Sequence, residues 1–267
     1  HIDLGIPLYL YLVKGELHYM LLIGQTDKKA KKLLSGIQAQ LRYNHRIIND
    51  YGNKYSNGDW AEGEFLTTDG VRFSSLGFGS DPRGAREDAE RPDYIVVDDC
   101  DSKKHLKNNE IMSEALDFIT EDVWGCFDAE DDAVERFVYA NNNFHKNSLT
   151  NRLKTFILQK IKESKELGIE HDFFHLRVDA VKDTNTFEPN WPEKTSAEFW
   201  KKKYTSMPYR SFMREYMNTH IEEGKVFKAE WWQWTKILPY HKYDAIVLYG
   251  DLSWGDAACH KSMVCLG

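Results

Sequence analysis

The sequence predicts an α/β domain built on a mostly parallel sheet, and three features predict it. Short apolar runs, at residues 18–23, 94–97 and 137–140, alternate with longer stretches whose apolar residues recur at helical spacing. Each run ends in small or polar residues, as buried strands do where they reach a loop. One run, RPDYIVVDD at 91–99, closes on two adjacent carboxylates, Asp98 and Asp99.

The elements follow in chain order. Residues 3–13 are apolar and helix-compatible, ending near Gly15. Residues 18–23 form a first strand that reaches a loop at Gly24-Gln25-Thr26. Asp27 is placed to cap the next helix, whose apolar positions are Ala30, Leu33, Leu34, Ile37 and Leu41. The polar stretch 49–63 reads as a loop, and 65–68 with 71–76, separated by Asp69-Gly70, as a hairpin. Residues 77–91 are an irregular loop rich in Gly and Arg. After the carboxylate strand come a helix at 109–120, a third strand at 137–140 ending in three asparagines, and an amphipathic helix at 149–167. Residues 173–181 read as a fourth strand, 196–204 and 208–218 as helices, and 243–249 as a new buried strand. A domain boundary is expected at about 220–240, in a stretch dense in aromatics.

Composition narrows the function. The 267 residues are 42% hydrophobic and 29% charged, enough to bury a core. No apolar run is long enough to span a bilayer, so no membrane partner is expected. The four cysteines form no CxxC pair, which points to a reduced cytoplasmic setting. The net charge of −7, from 42 acidic against 35 basic residues, argues against a protein that merely coats nucleic acid. Local basic runs at Lys28, Lys29, Lys31 and Lys32, and at 201–203, read first as solvated helix faces. The chain opens without Met inside an apolar helix and closes inside a strand-like segment, so it is read as a fragment.

The chemistry centres on Asp98 and Asp99. A carboxylate at the C-terminal end of a central parallel strand emerges in the crevice where open α/β sheets bind ligands. Of two such carboxylates, one can hold Mg²⁺ through water and the next can polarise an attacking water. The plainer alternative is an acidic turn. Arg83 and Arg86, in the preceding loop, fit either charge stabilisation on a transferring phosphoryl group or pairing with Asp81, Glu87 or Asp88. Asn141, Asn142 and Asn143 fit either a γ-phosphate sensor or a capping cluster. Gln25 is a candidate contact for nucleotide or DNA. No GxxxxGK[ST] phosphate loop is present; it is expected immediately ahead of the first helix. Near the end, Asp251 follows an apolar strand, where a nuclease would place a first ligand for two metal ions about 4 Å apart. Asp256 is a weaker candidate, and an ordinary turn remains the alternative for both.

Taken in order, these features resemble the large terminase subunit of tailed bacteriophages. The motifs are the loop Pro82-Arg83-Gly84-Ala85-Arg86, RPDYIVVDD, FVYANNNFHKNSL, Trp191-Pro192-Glu193, an F-x-x-E-Y-x-N element from Phe212 to Asn218, and YGDLSWGD. The resemblance runs from about Tyr19 onward. It implies a P-loop-type ATPase core truncated at its N-terminus (1–220), a linker (221–240) and the first strand of an RNase H-like nuclease domain (241–267). Asp98 would be the Walker B Mg²⁺ ligand. Asp99 would stand where many relatives have a catalytic glutamate, one methylene longer. Arg83 or Arg86 would be the arginine finger, Asn141, Asn142 and Asn143 the coupling segment, and Asp251 the first nuclease metal ligand.

Implied cofactors are ATP and Mg²⁺, with Mg²⁺ or Mn²⁺ at the nuclease site. The implied activity is ATP-driven translocation of double-stranded DNA into a procapsid, with endonucleolytic cleavage of the concatemer. Implied partners are double-stranded DNA, the portal protein, the small terminase subunit and other copies in a ring. The setting would be the host cytoplasm, transiently at the portal, and not the virion. Without the Walker A loop and most nuclease carboxylates, the fragment is expected to be inactive by itself. A helicase-like ATPase is one alternative; it shares the Asp-Asp strand but predicts neither the Trp-Pro-Glu nor the F-x-x-E-Y-x-N stretch. A catalytically inactive DNA-binding or assembly protein that keeps the fold is the other.

Overall fold

The computed structural model describes residues 2–82, 90–101, 108–131, 133–143, 145–169, 173–221, 239–243, 247–251 and 262–266. The chain divides into two compact units, His1–Ile221 and Glu222–Gly267. The first is α/β, as the sequence predicts. Its strands are β1 (Tyr19–Gly24), β2 (Tyr55–Ala61), β3 (Glu64–Thr67), β4 (Arg72–Gly77), β5 (Tyr94–Asp98) and β6 (Arg136–Ala140). They form one sheet in the order β2-β3-β4-β1-β5-β6. β4, β1, β5 and β6 run parallel, while β2 and β3 add antiparallel at one edge.

Alternation along β1 and β5 decides which helices cover which face. Met20, Leu22, Tyr94 and Val96 pack with Ala30, Leu34, Ile37 and Leu41 of α2 (Asp27–Tyr43). Leu21, Ile23, Ile95 and Val97 face the other way, against Val123, Cys126 and Phe127. Each fully buried aliphatic side chain here contributes about 1.5–3 kcal/mol, which explains why both central strands carry continuous apolar runs. Beyond them, α4 (Asn109–Asp117) and α5 (Leu149–Leu167) meet through Met112, Leu149 and Leu153. Thus β1 leads to a helix on one face and β5 to a helix on the other. The crevice between their C-terminal ends is the topological switch point of the sheet.

Several expectations are corrected. The loop expected at 49–63 contains part of α3 (His45–Tyr51) and all of β2. Asn44 caps α3 by accepting from the Arg46 amide, and β2 is a polar edge strand without the alternation that reveals half-buried strands. Thr26, not Asp27, is the N-cap of α2; its hydroxyl accepts from the Lys29 amide, and Asp27 instead pairs with Lys31. The helix from Asn109 is α-helical only to Asp117 and widens to a π-helix at Phe118–Val123, where the Thr120 hydroxyl bonds the Leu116 carbonyl. Residues 10–14 are likewise π-helical, following α1 (Gly5–Tyr9).

The largest correction concerns 173–181, which is not a strand. Val181 alone makes a bridge, to Pro189, and Phe174, Leu176 and Val178 are 82%, 75% and 64% exposed. Strand propensity needs a partner edge to become a strand, and among the described residues this stretch has none. It is followed by α6 (Ala197–Thr205) and α7 (Tyr209–Tyr216), which pack on each other around Phe212, Trp200 and Tyr204. In the second unit, β7 (Val247–Asp251) and β8 (Ser262–Leu266) form an antiparallel pair with Asp251 opposite Ser262. Asp251 is therefore the last residue of its strand rather than a residue beyond it. Among the described residues no helix is long and apolar enough to cross a membrane.

The ends of β1 and β4 are pinned by two glycines in register, Gly24 and Gly77, against the start of α2. A Cβ on Gly77 would lie 2.7 Å from the Asp27 nitrogen, and one on Gly24 would lie 2.9 Å from the Ala30 nitrogen. Since the obstacle is backbone, Gly77→Ala should lower stability by about 1–3 kcal/mol in urea titration. Gly5→Ala, with open space around it, should be neutral or stabilising by up to about 1 kcal/mol in α1. Equal effects from the two would show that the approach of α2 does not set this packing.

Candidate functional site

Parallel register brings the predicted residues of the strand ends together. Gly24 stands opposite both Gly77 and Asp98, and Asp98 opposite Ala140. The loops bearing Gln25, Asp99 and Asn141 therefore leave the sheet side by side. Arg83 and Arg86 lie outside the described residues. Asp251 belongs to the other unit, where its backbone is described and residues 252–261, with Asp256, are not.

Asp98 is half-buried at the end of β5. Burial raises its pKa above the usual carboxylate range, and the nearby negative charges of Asp3 and Asp99 raise it further against an opposing pull from Lys29. Asp99 takes a left-handed conformation, φ +50°, with its amide donating to the Ala140 carbonyl at 3.0 Å. Its side chain is 65% exposed, with Lys29 Nζ 3.8 Å away. Cys100 then turns inward, its thiol near the Ile23 and Asp98 carbonyls and its pKa pushed up by burial.

Lys29 is a member of the site that the sequence shows only as one of a run of helix lysines. It donates to Gln25 Oε1 at 2.8 Å, four residues back. Gln25 in turn donates to the Asp101 carbonyl at 3.2 Å. The missed signal was positional: the first turn of a helix that follows a parallel strand sits at the same edge as the strand ends.

Asp101 is the second residue sequence reasoning missed. It is 7% exposed, and its carboxylate accepts from the Leu149 amide (2.9 Å), the Thr150 amide (3.1 Å), the Thr150 hydroxyl (3.0 Å) and Asn141 Nδ2 (3.2 Å). Asn141 Nδ2 also lies 3.2 Å from Thr150 Oγ1, and its Oδ1 accepts from the Asp101 amide at 3.4 Å. Asn143 bonds Asn151 and Ser148 at the start of α5. Two of the three asparagines thus fasten the strand end to α5, the capping role kept open from sequence. Asn142 borders a cavity of about 370 Å³ that Trp191, Trp200 and Tyr216 also line.

Among the described residues no group of three His, Cys, Asp or Glu side chains converges as a metal cage. Mg²⁺ needs no such cage, since it keeps several waters and uses one or two carboxylates. Asp98, held among negative neighbours that favour its protonated form, is the donor such a cation fits.

The raised pKa carries a sign. A group that binds its proton more tightly when folded contributes stability that is fully present below the unfolded value, about 3.9 for Asp, and is lost as pH rises through the raised folded value. In Mg²⁺-free buffer Asp98→Asn should therefore raise Tm at pH 7, with the gain shrinking toward pH 3. A gain independent of pH would contradict the assignment. Asp101→Ala, which strands two helix amides and a hydroxyl, should cost about 3 kcal/mol or more in chemical denaturation. No protein-family model matches the chain, and no curated protein matches it.

Proposed function

We propose that this chain belongs to the large terminase subunit of a tailed phage, which uses ATP to drive double-stranded DNA into a procapsid and cuts the concatemer. The observation that carries the proposal is the Asp98-Asp99 pair at the end of a central parallel strand, at the switch point of the sheet. Asp98 would hold Mg²⁺. When bound, Mg²⁺ neutralises charge on the transferring phosphoryl group. Asp99, exposed and adjacent, is suited to orienting the attacking water. Lys29 and Gln25, hydrogen-bonded to each other, flank the same opening.

A second observation supports a phosphate-loop enzyme. Such a loop joins a parallel strand to a helix, with the strand's C-terminal end beside the carboxylates. One edge of the described sheet is closed by antiparallel β2 and β3, whereas β6 presents a parallel edge. The stretch 174–178, with Phe174, Leu176 and Val178 exposed, is linked at both ends to residues beside that edge. Phe173 stacks on Trp124, which touches Phe137 of β6, and Asn218 bridges the Val178 carbonyl and the Asn143 amide. A strand that ends in such a loop would find its pairing edge at β6, with its C-terminal end beside the carboxylates.

On this reading the partners are DNA, the portal, the small subunit and neighbouring copies in a ring, met in the host cytoplasm and transiently at the procapsid portal. The second unit would begin the nuclease, with Asp251 as its first metal ligand and Mg²⁺ or Mn²⁺ as the ion. Arg83 or Arg86 would act on phosphate as an arginine finger.

In the intact protein, Asp98→Ala should abolish ATP turnover, measured by phosphate release. Asp251→Ala should leave turnover unchanged and remove metal-dependent cleavage of plasmid DNA. Turnover that survives Asp98→Ala would sink the ATPase assignment; cleavage that survives Asp251→Ala would sink the nuclease assignment.

A further inference from the structure

Asn218 combines a left-handed backbone with three side-chain hydrogen bonds. It lies just beyond the C-cap of α7 with φ +45°, a conformation Asn tolerates far better than most residues. Its Oδ1 accepts from the Asn143 amide at 3.1 Å, while its Nδ2 donates to the Val178 carbonyl at 3.0 Å and to Asp179 Oδ1 at 3.2 Å. Glycine would keep the backbone and lose all three bonds. Aspartate would keep the acceptor, lose the donors and set a like charge against Asp179.

The surroundings make this side chain a junction. Arg177 Nε donates to both Asp179 oxygens, and its Nη2 donates to the Met217 carbonyl at 2.6 Å and the Thr219 hydroxyl at 3.1 Å. The Ala180 amide donates to the Tyr216 carbonyl at 2.7 Å. The end of α7 and the segment 177–180 are therefore one hydrogen-bonded body. On the far side, Asn143 is tied through its own side chain to Ser148 and Asn151 at the start of α5. Asn218 joins that body to the backbone of the strand-end asparagines, and the first unit ends at Ile221, just beyond it.

We infer that Asn218 is the positioning residue through which a change at the strand-end asparagines reaches α7 and the chain leaving the first unit. The inference rests on the packaging-motor reading, and within it on the coupling role that the terminase resemblance implies for those asparagines beside their fastening of the strand end to α5. A link of this kind should be worth a coupling free energy between two places. It is not a requirement for the chemical step at Asp98.

The test uses the intact protein and Asn218→Gly. In the variant, ATP consumed per base pair packaged should rise at least about fivefold. Nucleotide should alter hydrogen exchange at 216–221 in the wild type and cease to do so in the variant. An unchanged ATP cost, or an exchange response that persists in the variant, would overturn the link. If Asn218→Gly does not fold, the wild type alone decides: no nucleotide response at 216–221 overturns it. Failure of the link and failure of the motor reading are separable. Without nucleotide, Asn218→Gly should speed exchange of the Asn143 amide, and an unchanged rate there refutes the link whether or not the wild type hydrolyses ATP.

Discussion

The buried carboxylate of Asp101 is the point on which the C-terminal edge of the sheet depends. An ion taken out of water costs several kcal/mol unless its lone pairs are met. Here they are met by two amides at the first turn of α5, the Thr150 hydroxyl and the Asn141 carboxamide. The positive end of the α5 dipole adds to this. One side chain therefore fixes the tail of β5, the end of β6 and the start of α5 together. The Asp101 carbonyl brings in the β1 loop through Gln25. Asp98 and Asp99 project from a frame whose neighbours cannot drift apart without exposing that carboxylate.

Much of this arrangement was legible from pattern. The helix 149–167 is found with the ends read from its amphipathic spacing, and β5 lies where its β-branched run ends in acid. Parallel strands buried on both faces leave a strong mark because nearly every residue must be apolar. β2 leaves none, being an exposed edge whose pairing comes from a neighbour and not from its own side chains. The opposite error at 173–181 has the same cause: apolar alternation records an affinity for an edge, and the described sheet offers this stretch none in contact.

The site was half legible. Asp98, Asp99, Gln25 and the asparagines stand at strand ends, and strand ends are readable. Lys29 and Asp101 enter through contacts that periodicity does not encode. Asp101 meets its main partners 48 and 49 residues later in the chain, so neither spacing nor charge pattern singles it out from the acids around it. The asparagines show how residue type leaves a role open. Their amides suit phosphate and helix caps equally, and only the hydrogen bonds assign Asn141 and Asn143 to fastening.

The two neighbouring carboxylates are made unequal by backbone geometry. In a continuing strand, residues 98 and 99 would alternate across the sheet. The left-handed turn at Asp99, a conformation that Asp adopts more readily than most residues, ends that alternation. It is held by the bond from the Asp99 amide to the Ala140 carbonyl. Asp98 is left half-buried, among negative charges that favour its proton, while Asp99 is turned into solvent within reach of Lys29. A divalent cation would relieve the first environment and has little to gain from the second. Two carboxylates adjacent in sequence thus differ in burial and in charged neighbours.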